Sequence, residues 1–214
     1  MSLLREKISI VTGAGKGIGR AVAELFAREG STVYAIDVTA DSLSDIPDEF
    51  KTTIIPKYFD ITDRDAVKAL IMEIRNTHGK LDVLVNNAAL MDNTAIGMIK
   101  SEQMERLLKI NVIALIDILQ LAARVMQRQN SGSIINISSM VGLRGNKGQL
   151  LYSATKGAVI ALTKSASKEL AAYNIRVNSI APGLTDTDGF KSADEKYTAE
   201  RVSNIGMKRL AQPI

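Results

Sequence analysis

The sequence has no cysteine, no tryptophan, a single histidine and only nine aromatic residues, five tyrosines and four phenylalanines, in 214 positions. Without cysteine the protein has no disulfide scaffold, thiolate metal site or cysteine nucleophile. One histidine is too few for a site built from several imidazoles, so we predict no metal centre. The formal net charge is +4, but the basic residues are scattered and few rings can stack on bases. Nucleic-acid binding therefore has little support.

Long hydrophobic runs are also missing. The longest, Val112–Ala123, carries Asp117 and is too short to cross a bilayer, and Met1–Lys7 has no apolar targeting core. We therefore predict a cytoplasmic protein with no membrane partner. Hydrophobic residues make up 46% of the chain and charged residues 23%, which is typical of a globular domain. With no visible linker or repeat, residues 1–214 are predicted to form one domain.

Strand-like runs rich in β-branched residues alternate with helical patterns along the chain. One helical pattern is predicted to start at Thr62, with Asp65 three residues later, and two longer ones cover about Ser101–Gln129 and Tyr152–Tyr173. The alternation predicts an α/β fold of the Rossmann type, a doubly wound parallel sheet with helices on both faces. The strand-like runs are Ile8–Val11, Thr32–Ile36, Thr53–Phe59, Leu81–Val85, Ser133–Ile137 and Ile175–Ile180.

A glycine-rich segment, Thr12–Gly19, follows the first strand and leads directly into the first helix. Glycine in such a turn lets the backbone bend tightly and brings its N–H groups close to a pyrophosphate, and the helix N-terminus adds positive potential. This order of strand, glycine turn and helix predicts a dinucleotide site. The cofactor-binding residues predicted there are Gly13, Gly15, Lys16, Gly17, Ile18 and Gly19.

The residue at the end of the second strand bears on the choice between NAD and NADP. Asp37 stands eighteen residues after Gly19, where a carboxylate can accept hydrogen bonds from both ribose hydroxyls of an adenosine. A 2′-phosphate at that place would meet like charge, at a cost of about 1–4 kcal/mol at about 4 Å. Lys16 argues the other way, because it can neutralise a phosphate. On balance the sequence predicts NAD, with NADP as the alternative.

A second group of residues carries the chemistry. Tyr152 and Lys156 are spaced i, i+4, so they share one helical face and the ammonium can lie near the phenol and favour its phenolate. That makes Tyr152 a usable acid and base. Ser139 follows the strand that ends at Ile137, where a hydroxyl can bind a substrate oxygen. We predict Ser139, Tyr152 and Lys156, together with Asn111 on the preceding long helix, as the catalytic residues.

With these motifs in this order, the chain resembles the short-chain dehydrogenase/reductase family over nearly its whole length, from Lys7 to Pro213. Within the family it is similar to the 3-oxoacyl-acyl-carrier-protein reductases. The matching residues are Thr12-Gly13-x-x-x-Gly17-x-Gly19, Asp60, Asn86-Asn87-Ala88, Asn111, Ser139, Tyr152, Lys156 and Pro182-Gly183.

The resemblance implies further cofactor contacts. Asp60 with Ile61 would hold the adenine, Asn87 with Ala88 the adenosine side, and Asn111 would support a water chain to Lys156. The nicotinamide carboxamide would be held by Thr187 and the backbone around Pro182 and Gly183.

The chain departs from the family pattern in two places. Ala89 stands where family members usually have glycine, which adds a methyl group near the cofactor. Family members also usually continue into another helix and a seventh strand, whereas this sequence stops at Ile214, so the seventh strand is expected to be missing. The polar segment at about 184–207 is expected to be a mobile substrate flap.

Together the motifs and the resemblance imply an NAD(H)-dependent oxidoreductase that interconverts a small-molecule secondary alcohol and a ketone. Two alternatives stay open: a 3-oxoacyl-acyl-carrier-protein reductase using NADPH, and a nucleotide-binding protein with impaired catalysis. Asp37 counts against the first, as does Tyr173, near which such reductases carry a basic residue. The complete Asn-Ser-Tyr-Lys set counts against the second.

The two long helices carry apolar residues on more than one face. One face suffices to pack on a sheet, so the surplus predicts a partner surface. By resemblance we expect a homodimer through these helices, with a tetramer less secure. The residues that suggest the surplus are Leu107, Leu108, Leu115, Ile116, Ile118 and Leu119 on the first helix, and Val159, Ile160, Leu162, Ala166 and Leu170 on the second.

Overall fold

Six strands alternate with helices in the computed structural model, which describes residues 2–187 and 202–213. The strands are β1 (Ile8–Thr12), β2 (Thr32–Asp37), β3 (Ile54–Tyr58), β4 (Val83–Asn86), β5 (Gly132–Ile137) and β6 (Ile175–Ile180). They pair in parallel in the order β3-β2-β1-β4-β5-β6. The order changes direction between β1 and β4, and in open sheets of this kind ligands bind beyond the carboxyl ends of the strands at such a point. The predicted doubly wound α/β sheet is confirmed.

Helices cover both faces of this sheet. In the described residues they are α1 (Gly17–Arg28), α2 (Arg64–His78), α3 (Ser101–Leu108), α4 (Leu115–Arg128), α5 (Met140–Arg144) and α6 (Leu150–Leu170). Helices α2, α4 and α6 share one apolar core with the sheet, and α1 packs on the opposite face. Strand β1 is buried at every position because both of its faces are covered, which is why its sequence reads as a nearly continuous apolar run.

The helices differ from the sequence prediction in two places, apart from shifts of two or three residues at the ends of α6. The predicted helix over 101–129 is interrupted by a π-helical stretch, Lys109–Ala114, between α3 and α4. Helix α2 is capped by Asp63 rather than Thr62, since the Asp63 carboxylate accepts from the amides of residues 65 and 66, both at 3.0 Å. An aspartate in this position satisfies two of the amide groups that the first turn of a helix leaves without a partner.

The predicted flap at about 184–207 falls largely outside the described residues, which stop at 187 and resume at 202. Its first part is held by the end of the chain: Thr185 forms a β-bridge with Ala211, and the Asp186 amide donates to the Ala211 carbonyl at 2.8 Å. Within residues 2–187 and 202–213, no helix is both long and apolar enough to cross a membrane.

Candidate active site

A cavity of about 810 Å³ runs along the carboxyl edge of the sheet. One end is lined by Asp37, the last residue of β2, and by Asp60 after β3. The other end is lined by Ser139 and Pro182, after β5 and β6. Its size lies within the range usual for sites that enclose a cofactor or a substrate. All of the predicted site residues line this cavity except Gly15, Gly19 and Asn111.

The glycine-rich loop forms part of the cavity lining. Gly19 at the start of α1 lies against the loop so closely that a Cβ there would collide with the carbonyl oxygen of Gly13. The amide groups of residues 17–19 have no hydrogen-bond acceptor among the described residues. Amide groups left open at a helix N-terminus attract anions, so the loop fits the pyrophosphate of a dinucleotide.

Hydrogen bonds tie the glycine loop to the segment that follows β4. The Thr12 hydroxyl accepts from the amides of Asn87 and Ala88 at 3.0 and 3.1 Å. In return, the Asn87 side-chain amide donates to the carbonyls of Thr12 and Gly13, both at 3.0 Å. These bonds fix the two segments relative to each other, so the Asn87 side chain holds the glycine-rich loop in its conformation.

Asp37 closes the cavity at the end of β2. Its two carboxylate oxygens accept hydrogen bonds from the amides of Gly15 and Val38, both at 2.8 Å. A Cβ on Gly15 would lie 2.6 Å from the Cβ of Ser42 and 2.7 Å from an Asp37 oxygen, so this corner has no room for a side chain. Lys16 also lines the cavity, but it is exposed to solvent.

Lys156 and Tyr152 meet at the opposite end, on the first half of α6. Lys156 is only 3% exposed, and its ammonium donates to the carbonyl of Ile137 at 2.8 Å. Its Nζ lies 5.8 Å from the centre of the Tyr152 ring. Burial disfavours the charged form and lowers the pKa of Lys156 to about 8.

The ionisation of Tyr152 differs from the sequence expectation. Burial raises the pKa of its phenol, and this effect exceeds the opposing one of the hydrogen bond with the Ser139 hydroxyl. The sequence expectation was that the Lys156 ammonium favours the phenolate, whereas here the phenol keeps its proton at neutral pH. The proton is therefore available to an oxygen atom bound beside it.

Asn111 lies in the π-helical stretch and is 1% exposed. Its side-chain oxygen accepts from the Leu90 amide at 2.8 Å, and its nitrogen donates to the Leu90 carbonyl at 2.9 Å and to Thr155 Oγ1 at 3.1 Å. Because Thr155 directly precedes Lys156 on α6, Asn111 joins that helix to the cavity wall at Leu90. Its side chain positions the site without lining the cavity.

Residues 7–198 of the chain match the profile of the family described as short chain dehydrogenase. The chain belongs to the short-chain dehydrogenase family. It is accordingly an oxidoreductase that acts on CH–OH groups with NAD(P). The family membership predicted from the motifs is confirmed.

Relatives cover nearly the whole of this short-chain dehydrogenase. It is 37% identical over 213 residues to a 3-oxoacyl-acyl-carrier-protein reductase of Thermotoga maritima, covering 98% of this chain and 87% of that protein. It is 34% identical over 218 residues to a 3α-hydroxysteroid dehydrogenase of Mediterraneibacter gnavus, covering 99% and 86%. The crystal structure of an NAD⁺-bound xylitol dehydrogenase superposes with a TM-score of 0.90 at 29% identity, covering 99% of this chain and 89% of that one.

Sequence reasoning missed three residues at the site of this short-chain dehydrogenase. Gln149 is almost fully buried, lines the cavity one turn before Tyr152, and donates to Asn93 Oδ1 at 2.6 Å. Thr155 receives the hydrogen bond from Asn111, and Arg106 lines the cavity from α3. Gln149 is one helical turn from Tyr152 in the sequence, which is a usable signal. No pattern singles out the other two, because their roles depend on packing between distant segments.

Proposed function

We propose that this protein is an NAD(H)-dependent oxidoreductase that interconverts a secondary alcohol and a ketone. The observation that carries the proposal is the placement of Tyr152, Ser139 and Lys156 at one end of a single cavity whose other end is closed by Asp37. We further propose that residues 1–214 form one dinucleotide-binding domain.

The cofactor is held along the whole cavity. Residues 13, 15–19 and 87–88 form the walls around the pyrophosphate and the adenosine, Asp60 and Ile61 hold the adenine, and Pro182, Gly183 and Thr187 hold the nicotinamide side. The open amides of residues 17–19 and the close fit of the glycine loop support this assignment. When bound, the nicotinamide gives hydride to the substrate carbon or takes it from that carbon.

The side chains at the far end handle the substrate oxygen. The phenol of Tyr152 is protonated at neutral pH and donates this proton as a ketone is reduced, then accepts it back as an alcohol is oxidised. The Ser139 hydroxyl binds the same oxygen and orients it. Lys156 holds the nicotinamide ribose from its fixed position 5.8 Å from the centre of the Tyr152 ring, and Asn111 holds α6 in place through Thr155.

Asp37 supports NAD over NADP. Its carboxylate is fixed by two backbone amides, and the close approach of Ser42 to Gly15 leaves little space beside it. A 2′-phosphate would meet a negative charge that cannot swing away without losing those bonds. The relative solved with NAD⁺ bound, a xylitol dehydrogenase, supports the same choice.

We expect the substitution Asp37→Ser to weaken NAD binding and to strengthen NADP binding, changing the preference at least about tenfold. The ratio of the two dissociation constants measured by calorimetry gives the answer. Asp65→Ser, which removes an equal charge from an exposed position on α2, should leave the ratio unchanged. A parent protein that already binds NADP more tightly than NAD contradicts the proposal.

A second function is favoured by one observation. The identity of 37% to a 3-oxoacyl-acyl-carrier-protein reductase supports reduction of an acyl thioester, with NADPH as the cofactor. Asp37 opposes NADPH for the reason given above. Tyr173, exposed at the end of α6, offers no positive charge to an acidic carrier protein.

A dehydrogenase screen separates these functions. The protein is incubated with NAD or NADP and a panel of secondary alcohols, sugars, polyols and hydroxyacyl thioesters, and the absorbance of the reduced nicotinamide is followed. Oxidation of alcohols with NAD supports the main proposal, and activity confined to thioesters with NADP supports the second. Binding of NAD with no turnover across the whole panel indicates a nucleotide-binding protein with impaired catalysis.

We also propose a homodimer formed through the long helices, with a tetramer as the alternative. Several of the residues that suggested a surplus face are buried within one chain, among them Leu107, Leu115, Ile118, Leu119, Val159 and Leu170. The face that remains exposed consists of Met104, Leu108, Ile113 and Ile116, of which Ile113 is 54% exposed. We expect light scattering to give a dimer at micromolar concentration and Ile113→Glu to give a monomer. A parent protein that is monomeric at this concentration contradicts the proposal.

A further inference from the structure

Arg106 is a charged residue of the cavity that no step above uses. It is exposed, it lines the cavity from helix α3, and its guanidinium makes no hydrogen bond or ion pair within the described part of the chain. Other arginines beside the sheet are engaged: Arg20 pairs with Glu24 and Asp45, and Arg64 pairs with Asp117. Arg106 therefore presents an uncommitted planar cation to the cavity.

The helix fixes the direction in which Arg106 projects. Arg106 and Ile110 are spaced i, i+4 and both line the cavity, so they form one row on the helix surface. The neighbouring row, Leu107 and Asn111, is buried and is fastened to α6 through Thr155. The row with Leu107 and Asn111 faces α6, which carries Tyr152 and Lys156. The row with Arg106 lies about a quarter turn away from it around the helix axis.

The residues that follow β3 also line the cavity. They are Phe59, Asp60 and Ile61, and the ion pair of Arg64 with Asp117 at 3.2 Å joins the start of the next helix, α2, to α4. Asp60 uses one carboxylate oxygen to accept from the Thr62 amide and makes no ion pair with Arg106. The lining of the cavity thus includes the acidic Asp60 with its apolar neighbours and the basic Arg106 with the apolar Ile110.

We propose that Arg106 is a cofactor-binding residue whose guanidinium stacks on the face of the adenine ring. This inference rests on the proposed function, because it requires a bound adenine nucleotide. Asp60 and its neighbours would contact the edge of the planar adenine. The two faces of the ring are then free to contact other side chains. Ile110 and Arg106, which form one row, can cover one of these faces. Guanidinium groups stack on aromatic faces because they are planar and weakly hydrated.

The test compares ligands that contain adenine with one that does not. Calorimetry is used to measure the binding of NAD, ADP-ribose and nicotinamide mononucleotide to the parent protein, to Arg106→Leu and to Arg106→Lys. We expect Arg106→Leu to weaken NAD and ADP-ribose binding about three- to tenfold and to leave nicotinamide mononucleotide unchanged. Arg106→Lys should weaken the binding of NAD and ADP-ribose nearly as much, because lysine keeps the positive charge but lacks the planar guanidinium group. Arg124→Leu is the matched control, since it removes an arginine from an exposed position on α4 outside the cavity.

Each other outcome overturns the proposal in a distinguishable way. If Arg106→Lys binds as tightly as the parent, the role of Arg106 is charge attraction and the stacking is wrong. If Arg106→Leu changes only the KM of the substrate, the residue serves the substrate end. If the parent binds both NAD and ADP-ribose and Arg106→Leu binds them equally well, the inference about Arg106 fails alone. If the parent binds neither, the proposed function fails with it.

Discussion

Replacing Tyr152 by phenylalanine should reduce turnover at least about a hundredfold while leaving the affinity for the cofactor nearly unchanged. The substitution removes the phenolic hydroxyl group, whose pKa burial raises, and it keeps the ring whose centre lies 5.8 Å from the Lys156 ammonium. Loss of general acid and base catalysis by a positioned group commonly costs two to four orders of magnitude. Steady-state kinetics on a substrate found by the screen measure the first effect, and calorimetry with NAD measures the second.

The matched control is Tyr173→Phe. It removes the same hydroxyl from an exposed tyrosine beyond the end of α6, so its turnover and its affinity for NAD should equal those of the parent. If Tyr152→Phe kept near-parent turnover, the assignment of the proton donor would be wrong. A large loss of cofactor affinity in Tyr152→Phe would show that the hydroxyl serves binding rather than proton transfer.

Replacing Lys156 by methionine should abolish activity and yet stabilise the cofactor-free protein at pH 7. The lysine is 3% exposed and its pKa is lowered to about 8, so at neutral pH the fold carries a buried charge. The difference from the ordinary value of 10.5 corresponds to roughly 3 kcal/mol. The lost hydrogen bond to the Ile137 carbonyl offsets part of this gain, so we expect a net increase of about 1–2 kcal/mol in the free energy of unfolding.

The extra stability of Lys156→Met relative to the parent should decrease as the pH rises. Below pH 8 the lysine is charged in both the folded and the unfolded protein, and the cost of burying that charge is fully present. As the pH rises from 8 toward 10.5, the folded parent loses the proton first and the cost disappears. The advantage of Lys156→Met should therefore shrink over this interval, as measured by urea unfolding at several pH values.

Lys164→Met provides the comparison on the same helix. Lys164 is exposed two turns after Lys156, so its replacement should change neither the stability at pH 7 nor the activity. A Lys156→Met protein that was less stable than the parent at pH 7 would mean that the ammonium contributes more through its contacts than its burial costs.

The local patterns of the sequence predicted the framework well. Strand β6 was predicted at Ile175–Ile180 with both ends correct, and the other strands differ by one or two residues at their ends. Both buried faces of a parallel sheet select β-branched residues, so these runs stand out. The glycine turn and the i, i+4 pair of Tyr152 and Lys156 are likewise set by neighbours in the chain, and the structure places them at one cavity.

Features that depend on contacts between distant segments could not be read in the same way. The π-helical stretch around Asn111 has no periodic signal of its own, and its side chain bonds to Leu90 and Thr155 from other parts of the chain. The raised pKa of Tyr152 follows from its burial, which no spacing reveals. Asp63 rather than Thr62 caps α2 because either residue suits the position by type, and only the backbone geometry decides between them.

The hydrogen bonds accepted by the Thr12 hydroxyl also order the events of folding. They join positions 75 and 76 residues apart, so the glycine loop lacks its second wall until β4 has paired with β1. Closing so long a loop costs chain entropy before any contact compensates for it. On the ribosome, a chain that has emerged only as far as β3 carries the phosphate-binding sequence without its finished shape. A bound dinucleotide can therefore stabilise this part of the fold only after β4 has joined the sheet.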